Sequence, residues 1–282
     1  MLKNIIFSAL VFLVIHYLIV FFSPPNWLGA PQNQWQANMI RAENLILSDT
    51  YFEKIIVGSS LSVNLNYGQF DHTWSNLSFS GLSIYEGLEI IHHLEQKPKY
   101  LFIEINVLLR DKDTFFLEHL FNPIKYPIKK KLSILKESQQ PVSLIGEPLL
   151  YHLIRKLMPS NKSNNNPKIV DIKKELVQKM SKDYDIVPID KIQNQIALLK
   201  KLLTPIENHG TKVILFEMPI DQALCNTPLT IAIRQAIKNA FPQYFFIEHP
   251  DCTEYSTSDG IHLDHDSALK FVNYFKDKIQ QI

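Results

Sequence analysis

The chain has 282 residues, of which 46% are hydrophobic and 20% are charged, and its formal net charge is +1 at pH 7. This composition excludes a disordered chain, and the near-neutral charge gives no indication of nucleic-acid binding. The sequence has neither a zinc-type Cys/His spacing nor a Walker-type glycine loop, so it predicts no metal site and no cofactor.

An apolar segment occupies residues 5–22, which carry no formal charge if His16 is neutral. Eighteen residues at ~1.5 Å each are just long enough to cross a bilayer. Lys3 precedes the segment and the next basic residue is Arg41, so the positive-inside rule places the remainder on the periplasmic or extracellular side. A cleaved signal peptide is the alternative, but no favourable small-x-small site follows. We therefore expect residues 1–22 to be a transmembrane signal anchor in a bacterial-type inner or plasma membrane.

Residues 23–50 are predicted to be a proline-containing spacer followed by a short helix at residues 36–47. Residues 51–282 are predicted to form one domain, in which a long, less regular insertion occupies about 108–181 and includes a polar loop at 160–166. The predicted strands lie at residues 55–57, 76–81, 100–105, 212–216 and 244–247. The predicted helices lie at residues 85–95, 190–208, 230–240 and 264–280. This alternation favours an α/β fold with a parallel sheet covered on both faces.

The first stretch that could take part in catalysis is residues 53–61, where the apolar strand ends at Gly58 and is followed by Ser59 and Ser60. Open α/β sheets bind ligands at the carboxyl ends of their strands, and backbone N–H groups at such a turn can stabilise an oxyanion. A Gly-Ser-Ser sequence taken alone is also typical of a simple turn or a helix N-cap.

The second stretch is residues 256–264, where Asp259 and His262 are three positions apart. One turn brings both side chains to the same side, so the carboxylate can hold the imidazole tautomer while the other ring nitrogen faces a nucleophile. Each residue alone is more typical of capping or of a surface loop. Together with Ser60, they supply the parts of a Ser–His–Asp system.

These two stretches resemble blocks of a known family. Gly58-Ser59-Ser60-Leu61 resembles the first block of the SGNH (GDSL-type) hydrolase superfamily, and residues 259–263 (DGIHL) resemble its last block. The resemblance covers about residue 53 to the end and implies a flavodoxin-like three-layer α/β/α domain with a parallel sheet. Ser59 stands where the family usually has aspartate.

The resemblance also implies roles for five residues. Ser60 would be the nucleophile, His262 the base and Asp259 the acid that orients it. The oxyanion donors would be the backbone N–H of Ser60, Gly81 after the second strand and Asn106 after the third.

Gly58-Ser59-Ser60, in place of the usual Gly-Asp-Ser, also resembles a membrane-anchored branch of the superfamily, which includes the D-alanyl-lipoteichoic-acid transfer protein and O-acetylation proteins of exported polysaccharides. This similarity implies a serine acyltransferase that moves an acyl group, such as acetyl, to or from a cell-envelope glycan. An integral membrane protein would supply the acyl group. One alternative is a membrane-tethered carboxylesterase or lipase. Another is a catalytically degenerate SGNH-like domain that binds glycan or assists an assembly.

Cys225 and Cys252 are the only cysteines. Export would allow them to form a disulfide. Two buried free thiols are equally compatible with the sequence, since a sequence does not supply the Cα separation that a bridge requires.

Overall fold

The computed structural model describes residues 2–22, 31, 33–66, 70–140 and 167–282. The chain forms two compact units: unit 1 comprises residues 1–49 and 115–162, and unit 2 comprises residues 50–114 and 163–282. The predicted insertion at 108–181 is therefore divided between the two units. Most of the predicted spacer (residues 23–30 and 32) and the polar loop at 160–166 lie outside the described residues.

The apolar segment forms one helix, α1 (Leu2–Phe22). Its most apolar window has a mean hydropathy of 2.8, and α1 is the one helix in the described part of the chain that is long and apolar enough to span a membrane. Membrane anchors and signal sequences both have this length and apolar composition.

Unit 1 also contains α2 (Gln34–Ile46), α5 (Lys125–Lys131) and all of α4 (Thr114–Leu120) except its first residue. Asn33 caps α2 by accepting a hydrogen bond from the N–H of Gln36. Glu43 of α2 is buried and accepts hydrogen bonds from Lys129 Nζ and from the N–H of Glu137, each at 2.6 Å. The helix predicted at 36–47 is present, whereas the seven-residue helices α4 and α5 fall in the section predicted to be irregular.

Unit 2 is built on a five-stranded parallel sheet. The strands are β1 (Lys54–Ser59), β2 (Trp74–Phe79), β3 (Tyr100–Glu104), β4 (Lys212–Phe216) and β5 (Phe245–Ile247). Their order in the sheet is β2-β1-β3-β4-β5. The five predicted strands are all present, and β2 begins two residues earlier than predicted and ends at Phe79.

Helices of unit 2 pack on both faces of this sheet, because alternate residues of each buried strand point to opposite sides. The helices are α3 (Tyr85–His93), α6 (Pro167–Tyr184), α7 (Ile189–Glu207), α8 (Gln222–Cys225), α9 (Pro228–Ala240) and α10 (His265–Ile279). On one face, α3 approaches so closely that a Cβ on Gly87 would lie 2.6 Å from a methyl group of Val57. On the other face, Ile56 and Phe102 join a buried cluster with residues of α10, and the rings of Phe102 and Phe275 are 5.5 Å apart.

The register of the strands determines which residues share the carboxyl edge of the sheet. Ser59 pairs with Phe79, and Glu104 pairs with Phe216. The residues that directly follow β1, β2, β3 and β4 therefore emerge at one edge, which is where open α/β sheets place their ligand sites.

Candidate active site

Ser60 is the first residue after β1 and lies in a turn at the carboxyl edge of the sheet, where it is half-buried. The N–H of Ser62 donates to the carbonyl of Ser59 at 3.2 Å and closes this turn. Ser60 is therefore presented between a strand and a short 3-10 helix (Val63–Asn66). Its own N–H makes no hydrogen bond to another described residue.

Asp259 and His262 lie on a hairpin-like loop before α10. Thr257 and Leu263 form an isolated antiparallel bridge, and the N–H of Ser258 donates to the carbonyl of His262 at 2.8 Å. Gly260, at the tip, has a φ of +104°, a conformation that favours glycine. The loop thus turns back within four residues and brings Asp259 beside His262.

This loop is also held from outside. The carbonyl of Gly260 accepts a hydrogen bond from the N–H of Asp221 at 2.9 Å, and Lys173 of α6 forms an ion pair with Asp221 at 3.2 Å. A Cβ on Gly260 would meet side-chain atoms of Val177 and Met180, each at 2.7 Å. Helix α6, part of which lies in the predicted insertion, therefore packs against the loop that carries the acid and the base.

The structure brings three predicted residues into direct contact. His262 Nε2 lies 2.8 Å from Ser60 Oγ, and His262 Nδ1 lies 2.7 Å from Asp259 Oδ2. Both distances are within hydrogen-bonding range. The imidazole thus links Ser60, near the start of unit 2 in the sequence, to Asp259, near its end. The His262 and Asp259 side chains are 37% and 39% exposed, so the site is open to solvent.

Asp259 is held as a carboxylate acceptor by three donors. Besides the ring of His262, the N–H groups of Ile261 and His262 donate to Oδ1 at 3.1 and 2.9 Å. Partial burial raises the pKa of the Asp259 carboxyl, but the hydrogen bonds from the backbone and ring of His262 and from the N–H of Ile261 outweigh burial. The pKa therefore lies below its ordinary value. This arrangement keeps Asp259 ionised beside the imidazole.

Gly81 and Asn106, the other two predicted site residues, follow neighbouring strands. Gly81 is exposed, has a φ of +76° and lies in the turn after β2. Asn106 lies just past β3, where its side-chain amide donates to the carbonyl of Met218 at 2.9 Å and accepts from the N–H of Met218 at 2.8 Å. Within the described part of the chain, neither residue is hydrogen-bonded to the three contacting side chains. Each retains an N–H that makes no hydrogen bond to a described residue.

Glu104 and Ser62 belong to the same region, although the sequence analysis did not single them out. Both are fully buried, and Ser62 Oγ lies 2.6 Å from Glu104 Oε2. The available signal was the single charged residue within the apolar stretch YLFIEI at 100–105, because a buried carboxyl requires hydrogen-bond donors.

Cys225 and Cys252 form a disulfide, with their Cα atoms 6.5 Å apart, which decides between the two possibilities that the sequence left open. His249 packs beside it, with Nδ1 3.4 Å from the sulfur of Cys252. The ligand atoms of these three residues lie within 4.8 Å of one another. Metals bind cysteine as the thiolate, so these residues do not constitute a metal site while the disulfide is present.

No family model, curated protein or solved structure matches this chain. The contacts of His262 with Ser60 and Asp259 are therefore the structural observations that bear on the function of this chain.

Proposed function

We propose that this protein is a serine acyltransferase of the SGNH type, which moves an acyl group through an ester on Ser60. The observation that carries the proposal is the imidazole of His262, which contacts Ser60 Oγ on one side and Asp259 Oδ2 on the other. This chain of contacts is the arrangement that activates a serine hydroxyl for attack on a carbonyl.

In the proposed reaction, His262 Nε2 takes the proton of Ser60 Oγ as that oxygen attacks an ester or thioester carbonyl. Asp259 stays ionised, accepts a hydrogen bond from the Nδ1–H group and stabilises the imidazolium. The N–H of Ser60, with Gly81 and Asn106, would bind the oxyanion. His262 then protonates the leaving group as the acyl–oxygen or acyl–sulfur bond breaks. In the second half-reaction, His262 deprotonates the acceptor hydroxyl, which attacks the acyl-serine, and the proton returns to Ser60.

The sheet supports the assignment to an SGNH-type fold. Its order, β2-β1-β3-β4-β5, is that of doubly wound sheets of the flavodoxin type, whose ligands bind at the carboxyl ends of the strands. Ser60 lies at this edge, and so do Gly81 and Asn106. The order of Ser60 early and Asp259-x-x-His262 late is also the order of the blocks that the sequence resembles.

Two further features favour an exported protein. Helix α1 has the length and hydropathy of a membrane anchor or a signal sequence. The Cys225–Cys252 disulfide is of the kind that persists in oxidising compartments. We propose a single membrane anchor, with unit 2 on the periplasmic or extracellular side and a cell-envelope glycan as the acceptor. An integral membrane protein would be the acyl donor; this part of the proposal comes from the family resemblance alone.

Hydrolysis is the second candidate function, and the exposure of the site favours it. With His262 and Asp259 more than one third exposed, water has access to the base. Transfer requires the acceptor to be bound before water attacks the acyl-serine. The two functions share the first half-reaction and differ only in the second.

The experiment is acyl-ester turnover by the full-length protein in detergent or in a nanodisc. p-Nitrophenyl acetate is the donor, offered with and without a polyol or glycan acceptor. Turnover that the variants Ser60→Ala and His262→Ala abolish supports acyl transfer through Ser60. An acetylated acceptor identifies a transferase, and release of acetate alone identifies an esterase.

Matched controls test whether the effect is specific to the site. Ser256→Ala removes an exposed hydroxyl from the same loop, and His72→Ala removes an exposed imidazole from the turn before β2. Both controls are expected to retain wild-type turnover. A wild-type protein as inert as Ser60→Ala with every donor and acceptor would overturn the enzymatic proposal and favour a binding domain.

A further inference from the structure

Glu104 is a buried carboxyl that the proposed mechanism does not use. It is fully buried at the end of β3, and β3 pairs directly with β1, the strand that ends just before Ser60. Burial of a carboxyl is costly unless donors satisfy its oxygens. The hydrogen-bond donors to the Glu104 carboxyl therefore indicate what this residue does in the fold.

The donors to Glu104 come from both sides of Ser60. The N–H of Ser59 donates to Oε2 at 2.9 Å, the hydroxyl of Ser59 donates to Oε1 at 2.9 Å, and the hydroxyl of Ser62 donates to Oε2 at 2.6 Å. Ser59 Oγ also accepts from the N–H of Leu61 at 3.2 Å. The carboxyl of Glu104 thus holds the residue before Ser60 and the residue two positions after it.

The network continues into β2. Ser62 Oγ lies 2.8 Å from Ser78 Oγ, and the Asn76 side chain donates to the carbonyl of Ser62 at 2.9 Å. The turn that carries Ser60 is therefore tied by side chains to both strands that flank β1. This attachment is independent of the backbone ladder of the sheet.

Gly58 makes the close approach of Glu104 possible. A Cβ at Gly58 would lie 2.7 Å from Glu104 Oε2 and 2.9 Å from Glu104 Cβ, and it would also collide with Ser62 Oγ. The φ of Gly58 is not in the left-handed region, so it is space rather than backbone conformation that favours glycine here. In the Gly-Ser-Ser-Leu-Ser sequence, Gly58 thus leaves space for the Glu104 carboxyl, and Ser59 and Ser62 donate hydrogen bonds to it.

In the described part of the chain, hydrogen bonds rather than ion pairs satisfy the Glu104 carboxyl. Within the described residues, no lysine, arginine or histidine forms an ion pair with Glu104. Burial raises the pKa of the Glu104 carboxyl, and the hydrogen bonds from Ser62 and Ser59 offset this rise only in part. The carboxyl therefore acts through directed hydrogen bonds to the turn rather than through a salt bridge.

We propose that Glu104 is a positioning residue for the nucleophile: its carboxyl holds the turn from Ser59 to Ser62 so that Ser60 Oγ stays within hydrogen-bonding distance of His262 Nε2. This inference rests on the proposed function, since positioning has meaning only if Ser60 is the nucleophile. Glu104 touches neither Ser60 Oγ nor His262, so its effect on the reaction passes through Ser59 and Ser62.

The test compares Glu104→Ala, Glu104→Gln and Ser62→Ala in the full-length protein, using kcat and KM for p-nitrophenyl acetate and the rate of labelling by a fluorophosphonate. A displacement of about 1 Å in a reacting group lowers rates by about a hundredfold. We expect Glu104→Ala to lower kcat and the labelling rate by about 10- to 100-fold with little change in KM. Glu104→Gln retains an oxygen for the N–H of Ser59 and the hydroxyl of Ser62, so it should recover most of this loss.

Glu43→Gln is the matched control, because Glu43 is also a buried carboxyl that accepts a backbone N–H, and it belongs to unit 1. It should lower thermal stability as the Glu104 variants do while leaving kcat unchanged. If Glu104→Ala does not fold, Glu104→Gln and Ser62→Ala decide the matter, with Ser62→Ala expected to lower kcat at least threefold. Folded variants with wild-type kcat and labelling would overturn the positioning role alone. A wild-type protein without serine reactivity would overturn this inference together with the proposed function.

Discussion

Replacement of Asp259 by asparagine separates two contributions of one carboxylate. Oδ1 accepts from two backbone N–H groups, of Ile261 and His262, whereas Oδ2 faces His262 Nδ1. In Asp259→Asn, the amide oxygen should take the place of Oδ1 because both backbone partners are donors. The amide NH₂ then faces Nδ1, so the imidazole must carry its proton on Nε2 and has no lone pair there to accept the proton of Ser60.

The expected magnitudes follow from these contacts. The wrong tautomer should slow fluorophosphonate labelling of Ser60 by about 10³- to 10⁴-fold, equivalent to about 4–5 kcal/mol of activation free energy. The free energy of unfolding should change little, because both backbone hydrogen bonds remain. Asp259→Ala loses those two bonds as well, each contributing about 0.5–1.5 kcal/mol, so it should also lower stability by about 1–2 kcal/mol at this partly exposed site.

The assay measures labelling rates and urea unfolding for both variants. Asp251→Asn is a matched control, because Asp251 accepts from the backbone N–H of Thr253 at 2.9 Å and caps a short helix away from the imidazole. This control should label at the wild-type rate. A labelling rate of Asp259→Asn within tenfold of wild type would refute the argument that Asp259 sets the tautomer of His262.

Three further predictions concern stability. Reduction of the disulfide, which closes a separation of 27 residues, should lower the free energy of unfolding by about 3.5 kcal/mol in urea with reductant, and a loss below about 1 kcal/mol would contradict this. Gly58→Ala should cost about 1–3 kcal/mol in urea unfolding and also slow labelling of Ser60, because its methyl group displaces the Glu104 carboxyl. Gly210→Ala, in open space at a φ of +84°, should cost about 1–2 kcal/mol and leave labelling unchanged; equal labelling rates for the two variants would contradict the argument. Because the pKa of Asp259 is lowered, its stabilising contribution is complete above the ordinary aspartate pKa and is lost as pH falls towards the lowered value. The stability difference between wild type and Asp259→Ala should therefore shrink in acid, and a difference independent of pH would contradict this.

The sheet could be predicted from the sequence because each strand is a short apolar run followed by polar or turn residues. The stretches at 55–57 and 212–216 have this form, and both are strands. Helices α4 and α5 were not predicted, since seven residues give too few turns for an apolar periodicity to emerge. The grouping of residues 115–162 with residues 1–49 depends on contacts between distant segments, which local patterns do not contain.

In the candidate site, too, local sequence patterns predicted some contacts, whereas others depend on how distant segments pack. Ser60 and His262 are 202 positions apart, and their contact was anticipated because each stretch has a recognisable local pattern. The hydrogen bonds of Asn106 to Met218 and of Glu104 to Ser59 depend on which strands are neighbours in the sheet. Since strand order is set by packing of the whole unit, neither pair could be predicted from local sequence.

The most direct test of the account is to find where a fluorophosphonate attaches to the full-length protein. Peptide mapping by mass spectrometry locates the adduct in wild type and in Ser60→Ala and His262→Ala. We expect a single phosphonylated residue, Ser60, with the adduct absent from Ser60→Ala and nearly absent from His262→Ala. An unlabelled wild-type protein, or an adduct on another residue with Ser60 unmodified, would contradict the claim that Ser60 is an activated nucleophile.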